Sequence, residues 1–210
     1  MPERVLDTVI LRVLAFAHPR GIDILLSAID APIARFPAEG YNQDEDLLPL
    51  TTLDQDLSEL ARGLRWARRQ TVERPALEAA RCQTWLENAG QISDHLMAGT
   101  LVIDPLVISE LPRREELMDR FGIGRGEAAA LVLAERHGTE AVFLSSDDQT
   151  YQSARALGIG YLTLIDVMDG WIERAHPTIR EFDELVAGMR AAKFGLRESM
   201  FRSLRERLRV

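Results

Sequence analysis

The chain contains a single cysteine, Cys82. That excludes an internal disulfide and suits a reducing compartment. Four histidines lie scattered over 210 residues, and with one thiol they make no zinc-binding spacing. No apolar run approaches the roughly 20 residues of a membrane span, so no membrane association is expected. Met1-Pro2-Glu3-Arg4 leads into apolar sequence broken by Asp7 and Arg12, unlike a signal peptide. Gly122, Gly124 and Gly126 follow a helical stretch instead of a strand, which argues against a dinucleotide-binding loop. A glycine–lysine phosphate loop and a nucleophile elbow are also missing. The expectation is a cytoplasmic globular protein without the commoner cofactor motifs.

What is present suits one well-buried domain over residues 1–210, with 46% hydrophobic residues. The net charge of −8 argues against non-specific binding of nucleic acid over the whole surface. The charge is uneven, however. Glu59 to Arg74 holds five arginines against two glutamates, and Met189 to Val210 holds seven basic residues against two acidic ones. Such patches read either as solvated helix faces or as grips on a phosphate backbone.

Arg4-Val5-Leu6 reads as a short buried strand, with Asp7-Thr8 capping a helix that stops at His18-Pro19. A second helix runs from Ile22 to about Ile29, and Pro32 to Phe36 reads as a second strand. From Leu47 to Gly99 the spacing of Leu57, Leu60, Ala61 and Leu64, then Leu77, Ala80, Trp85 and Leu86, is helical. Leu101-Val102-Ile103 is a third strand and Glu115 to Phe121 a short helix. Glu127 to His137 is a strong helix ended by Gly138. Ala141 to Leu144 is a buried strand, and Ser145-Ser146-Asp147-Asp148 opens the next helix. Tyr161 to Leu164 reads as a strand and Asp166 as the start of a helix. Residues 176–210 are amphipathic helices. Helices alternating with short strands predict an α/β fold with a parallel sheet.

In open parallel sheets, ligands gather beyond the carboxyl ends of the strands. Asp7 follows the first strand, Asp147 and Asp148 follow the strand ending at Leu144, and Glu127 opens the helix before that strand. Carboxylates held together repel, and a hard divalent cation relieves the repulsion. Mg²⁺ or Mn²⁺ so bound activates water and steadies charge on a phosphoryl oxygen, so phosphodiester hydrolysis is the expected chemistry. Each acid read singly is equally explained as a helix cap.

Three segments in order carry a family resemblance. Val5-Leu6-Asp7-Thr8-Val9-Ile10-Leu11 resembles the opening of PIN-domain proteins. Gly124-Arg125-Gly126-Glu127-Ala128-Ala129-Ala130-Leu131 resembles their glycine–glutamate helix start, and Phe143-Leu144-Ser145-Ser146-Asp147-Asp148 their strand bearing a further acid. The tail, with Phe182, Leu185, Lys193-Phe194-Gly195-Leu196 and Met200, is similar to a subgroup related to VapC toxins. The resemblance implies a three-layer fold, a central parallel sheet flanked by helices, here with a helical insertion over 47–99. It further implies a metal-dependent ribonuclease in which Asp7, Glu127 and Asp147 are catalytic ligands of Mg²⁺ or Mn²⁺. Asp148 is then a neighbouring or alternative ligand, and Thr8 and Ser145 orient the acids. RNA is the implied substrate, and an antitoxin protein or a second copy of the chain are the implied partners. The alternative is a non-catalytic PIN-like module that binds RNA or protein. The family places another acid after the second strand, where Gln43 stands here, leaving Glu39, Asp44 or Glu45 to substitute. Arg62-Gly63-Leu64-Arg65-Trp66-Ala67-Arg68-Arg69 reads either as an RNA contact or as a helix whose Trp66 belongs to the core. The C-terminal apolar residues Phe194, Leu196, Met200, Phe201, Leu204 and Leu208 either pack on the domain or form an interface.

Overall fold

The computed structural model describes residues 3–49, 51–192 and 198–208, apart from the side chains of Asp46, Leu47 and Met200. Five short strands, β1 (Arg4–Leu6), β2 (Ala34–Phe36), β3 (Leu101–Ile103), β4 (Val142–Leu144) and β5 (Gly160–Leu162), form one sheet in the order β3-β2-β1-β4-β5. Every pairing is parallel, with Val5 beside Arg35 on one side and beside Phe143 on the other. The chain fills the sheet outward from β1 to β3, then returns to lay β4 on the opposite flank of β1. The carboxyl ends of β1 and β4 therefore form the switch point where parallel sheets open a crevice for ligands.

Strand periodicity sends alternate residues to opposite layers. Leu6 and Leu144 enter one core, and Val5 and Phe143 the other. The first layer contains α1 (Thr8–Ala17), α2 (Gly21–Ala28), α9 (Leu164–Ala175), α10 (Ile179–Ala191) and α11 (Glu198–Arg207). The second is built on α6 (Leu111–Phe121), α7 (Arg125–His137) and α8 (Asp148–Ala156). The result is the three-layer α/β architecture expected from the alternation of elements. α7 buries Ala128 to Ala134 without a break, which explains the unusually wide apolar face of that segment.

The insertion is helical as its spacing predicts, folding into α3 (Glu59–Glu73), α4 (Ala76–Ala89) and α5 (Gln91–Met97) on the first layer. Its α4 series differs from expectation. Cys82, Trp85 and Ala89 are the buried positions, whereas Leu77 is 76% exposed at the α3–α4 turn. Polar side chains of the insertion also close the ends of helices outside it. The Gln91 amide nitrogen lies within hydrogen-bond reach of the Ala15, His18 and Asn88 carbonyls, and its oxygen accepts from Ile22 N–H at 2.8 Å. Asn88 donates to the Phe16 carbonyl at 2.9 Å. These bonds satisfy carbonyls that α1 leaves unpaired at its end and an amide that opens α2.

Two boundaries shift for local reasons. Thr163 and Leu164, read as strand, instead cap and start α9, because Thr163 and Asp166 exchange bonds to each other's backbone amides. α6 begins at Leu111, four residues before Glu115, because Pro112 fits the first helical turn. In the tail, Phe201 and Leu204 are buried and Leu208 is half-buried against the same core. Those side chains belong to the domain itself. Phe194, Leu196 and the Lys193-Phe194-Gly195-Leu196 motif lie outside the described residues, as does the Met200 side chain.

α10 can lie against α1 only because Gly188 lacks a side chain. A Cβ there would fall 2.0 Å from the Ala17 carbonyl oxygen. Gly188→Ala should therefore destabilise the protein by about 1–3 kcal/mol, read as a drop of several degrees in a thermal melt. An unchanged melt would show that α10 can move off α1 at no cost.

Candidate functional site

Asp7 leaves β1 and caps α1, and its own N–H extends the β1–β4 ladder to the Leu144 carbonyl at 2.8 Å. Its side chain is 1% exposed. The Ser145 hydroxyl donates to Asp7 Oδ2 at 2.6 Å, and the same hydroxyl accepts from Asp147 N–H at 3.2 Å. Burial above all, with Glu127 and Glu59 adding to it, pushes the Asp7 carboxyl up to about 7 despite the Ser145 bond. A buried acid facing other acids is costly unless something neutralises it.

Glu59 is the acid the sequence does not reveal. It is the first residue of α3, half-buried, and accepts a hydrogen bond from the Thr8 hydroxyl. Burial and then Glu127 raise its pKa, while Arg62 and Arg12 lower it. The loop after β2 returns to its own base, where Glu59 N–H bonds the Glu39 carbonyl and Leu60 N–H the Gly40 carbonyl. Glu59 is consequently brought beside the Pro37–Glu45 stretch, in which the further acid is expected. Glu39 is tied to Arg114 at 2.7 Å, and Glu45 accepts from both the amide and the hydroxyl of Ser58. Asp44 is exposed on a 3-10 turn, and Gln43 reaches toward Ser93.

Glu127 enters from α7, where its Oε2 accepts from Gly124 N–H at 2.7 Å in a capping arrangement. Gly124 and Gly126 let the two glutamates lie close against the start of α7. A Cβ on Gly126 would lie 3.0 Å from Glu59 Oε1, and one on Gly124 would lie 3.4 Å from Glu127 Oε2 and 3.8 Å from Glu59 Oε1. Asp147 caps α8, with Oδ1 accepting from Gln149 N–H and Thr150 N–H, each at 2.9 Å. Asp148 follows it and is exposed. Tyr161 donates to the Asp147 carbonyl at 3.3 Å, and burial first, then Asp7, Asp147 and Asp148, disfavours its ionisation.

The fold thus brings Asp7, Glu59 and Glu127 into mutual electrostatic contact, with Asp147 joined to Asp7 through Ser145. α1, α3, α7 and α8 all begin at this point, so four helix N-termini face the carboxylates and favour negative charge there. Among the described residues, no three His, Cys, Asp or Glu side chains are gathered tightly enough to hold an ion as they stand. Glu127 and Asp147 are turned onto backbone amides instead. The donors are nonetheless of the hard oxygen type, and Mg²⁺ keeps several waters and needs only one or two carboxylates. The buried acid at Asp7, with no basic side chain bonded to it among the described residues, fits such an ion.

No protein-family model, curated protein or solved structure matches the chain.

Because the folded Asp7 pKa lies above its ordinary value of 3.8, folding favours the protonated form. Its contribution to stability is then intact below about pH 4 and declines until pH passes about 7. The full decline is up to about 4 kcal/mol. Chemical denaturation in EDTA from pH 4 to pH 8 should show this slope in the wild type and lose it in Asp7→Asn. Identical slopes would mean that Asp7 ionises as freely in the folded chain as in the unfolded one.

Proposed function

We propose that the chain is a Mg²⁺- or Mn²⁺-dependent endoribonuclease of PIN type, acting at the carboxyl ends of β1 and β4. The observation that carries this reading is the buried Asp7 carboxylate, set among Glu59 and Glu127 with no basic side chain bonded to it among the described residues. Uncompensated negative charge at a sheet switch point is what a divalent cation neutralises. Asp7, Glu59 and Glu127 would hold the ion, with Asp147 or Asp148 completing the set. A bound ion supplies water of lowered pKa and positive charge for a phosphoryl oxygen.

The chain's own residues do the positioning. Ser145 fixes one oxygen of Asp7 and Thr8 orients Glu59. Gly124 and Gly126 let Glu59 approach the start of α7, and the helix N-termini offset the charge that a phosphate brings. The VapC resemblance extends the proposal to a toxin whose antitoxin is a separate protein.

A non-catalytic RNA-binding module is the rival, and one observation favours it: Glu127 and Asp147 already serve as helix caps. Calorimetric titration with Mn²⁺ separates the two, since the rival predicts no saturable binding.

Cleavage of a labelled single-stranded RNA pool, with Mn²⁺, Mg²⁺ or EDTA, tests the proposal directly. The expected result is metal-dependent cleavage, reduced at least about a hundredfold by Asp7→Asn and by Glu59→Gln. Asp44→Asn, on the exposed turn, should cleave as the wild type does. A folded wild type that neither cleaves nor takes up Mn²⁺ overturns the reading.

A further inference from the structure

α3 carries Glu59 at its first position, and what lies further along the same face is set by helix geometry. Seven residues turn an α-helix through about 700° and advance it about 10 Å, so Trp66 points within about 20° of Glu59, with Arg62 and Gly63 one turn between them. Exposure agrees with the geometry. Arg62 is exposed and Trp66 is 48% exposed, although a tryptophan at this spacing is more often core.

The remaining arginines of this segment have other duties. Arg65 is buried and donates to the Thr52 carbonyl at 2.7 Å, with Asp54 also 3.6 Å away. Arg69 pairs with the same Asp54 at 3.4 Å. Arg62 makes no salt bridge among the described residues. Its charge is felt by Glu59, across the single turn that separates them.

Trp66 is also held in place. Its ring stacks on Trp85 of α4, with centroids 6.4 Å apart and planes 20° from parallel. Trp85 is buried, so one face of the Trp66 indole has a fixed backing. A cleft of about 110 Å³ beside the rings is edged by Gln70, Arg74, Glu78 and Arg81. An exposed, braced indole beside an exposed guanidinium suits one ligand chemistry well, an unpaired base next to a phosphate. A duplex hides its base faces and does not fit this arrangement.

We propose that this face of α3 is the track that holds a single-stranded RNA leading into the carboxylate cluster, Trp66 stacking on a base and Arg62 receiving a phosphate. The proposal rests on the nuclease reading of the cluster and adds to it a substrate strandedness and a direction of approach. Arg62 and Trp66 are positioning residues, about one and two turns from the reacting phosphate.

The test uses the full chain with a twelve-nucleotide oligouridine in EDTA, where binding is read without cleavage. Of the three tryptophans, Trp85 and Trp171 are buried, so quenching of the intrinsic fluorescence reports on Trp66. The expected result is saturable quenching by the single strand and much weaker binding of a duplex of equal length. Trp66→Ala, followed by anisotropy of a labelled oligonucleotide, should bind about tenfold more weakly, with Trp66→Phe restoring most of the loss. Arg62→Ala should lower the slope of log affinity against log salt by about one. With metal added, Trp66→Ala should raise KM and leave kcat near the wild-type value. Unchanged affinity in Trp66→Ala, equal loss in Trp66→Phe, preference for the duplex, or no binding by the wild type would each overturn the track. Cleavage that is indifferent to Trp66 overturns the track and leaves the nuclease standing. Binding through Trp66 without cleavage under any metal does the reverse.

Discussion

The pairing of β1 with β4 is the constraint on which the site depends. Three residues on each strand meet in register, and the ladder runs one step further, from Asp7 N–H to the Leu144 carbonyl. That last bond places the residue after β1 beside the residue after β4, so that Asp7 and Ser145 meet although 138 positions separate them. A one-residue slip would turn Leu6 and Leu144 into the wrong layer. The hydrophobic core therefore sets the register, and the register sets the carboxylate.

The second determinant is the convergence of helix starts. α1, α3, α7 and α8 each bring an acid to the same place because Asp and Glu stabilise helix N-termini wherever they occur. A cap and a ligand make the same demand on sequence, an acid at the beginning of a helix. What distinguishes this site is that the acids crowd together where Gly124 and Gly126 allow a close approach, the most buried of them, Asp7, being bonded to no basic side chain among the described residues. Capping stabilises each helix separately, while the crowding of the caps opposes folding. A site that stores repulsion of this kind is suited to bind positive charge.

The insertion has a part in both. Gln91 and Asn88 close the end of α1 and the start of α2, which secures the helix that Asp7 caps. At its other end the insertion supplies Glu59, and along α3 it supplies Arg62 and Trp66. The segment that looks most like an addition to the sheet is thus bound into the site from two directions.

Much of this was legible locally. The apolar run before Asp7, the glycines before Glu127 and the apolar run before Ser145-Ser146-Asp147-Asp148 mark strand ends and helix starts, because burial, capping and turn geometry act over a few residues. They were enough to predict the parallel sheet and three of the acids at its edge. Glu59 was not legible. It lies 23 residues beyond the end of β2, and bonds such as those from Glu59 and Leu60 to the Glu39 and Gly40 carbonyls return it to the site. The helical period also misplaced Leu77, read in one apolar series with Trp85 yet exposed, and did not reveal the exposure of Trp66, since it shows which residues share a face and not which face is covered. Sequence determined the elements and their ends, through interactions between near neighbours. Tertiary structure alone decided which ends meet, because hydrogen bonds and core contacts between distant residues depend on how the whole chain packs.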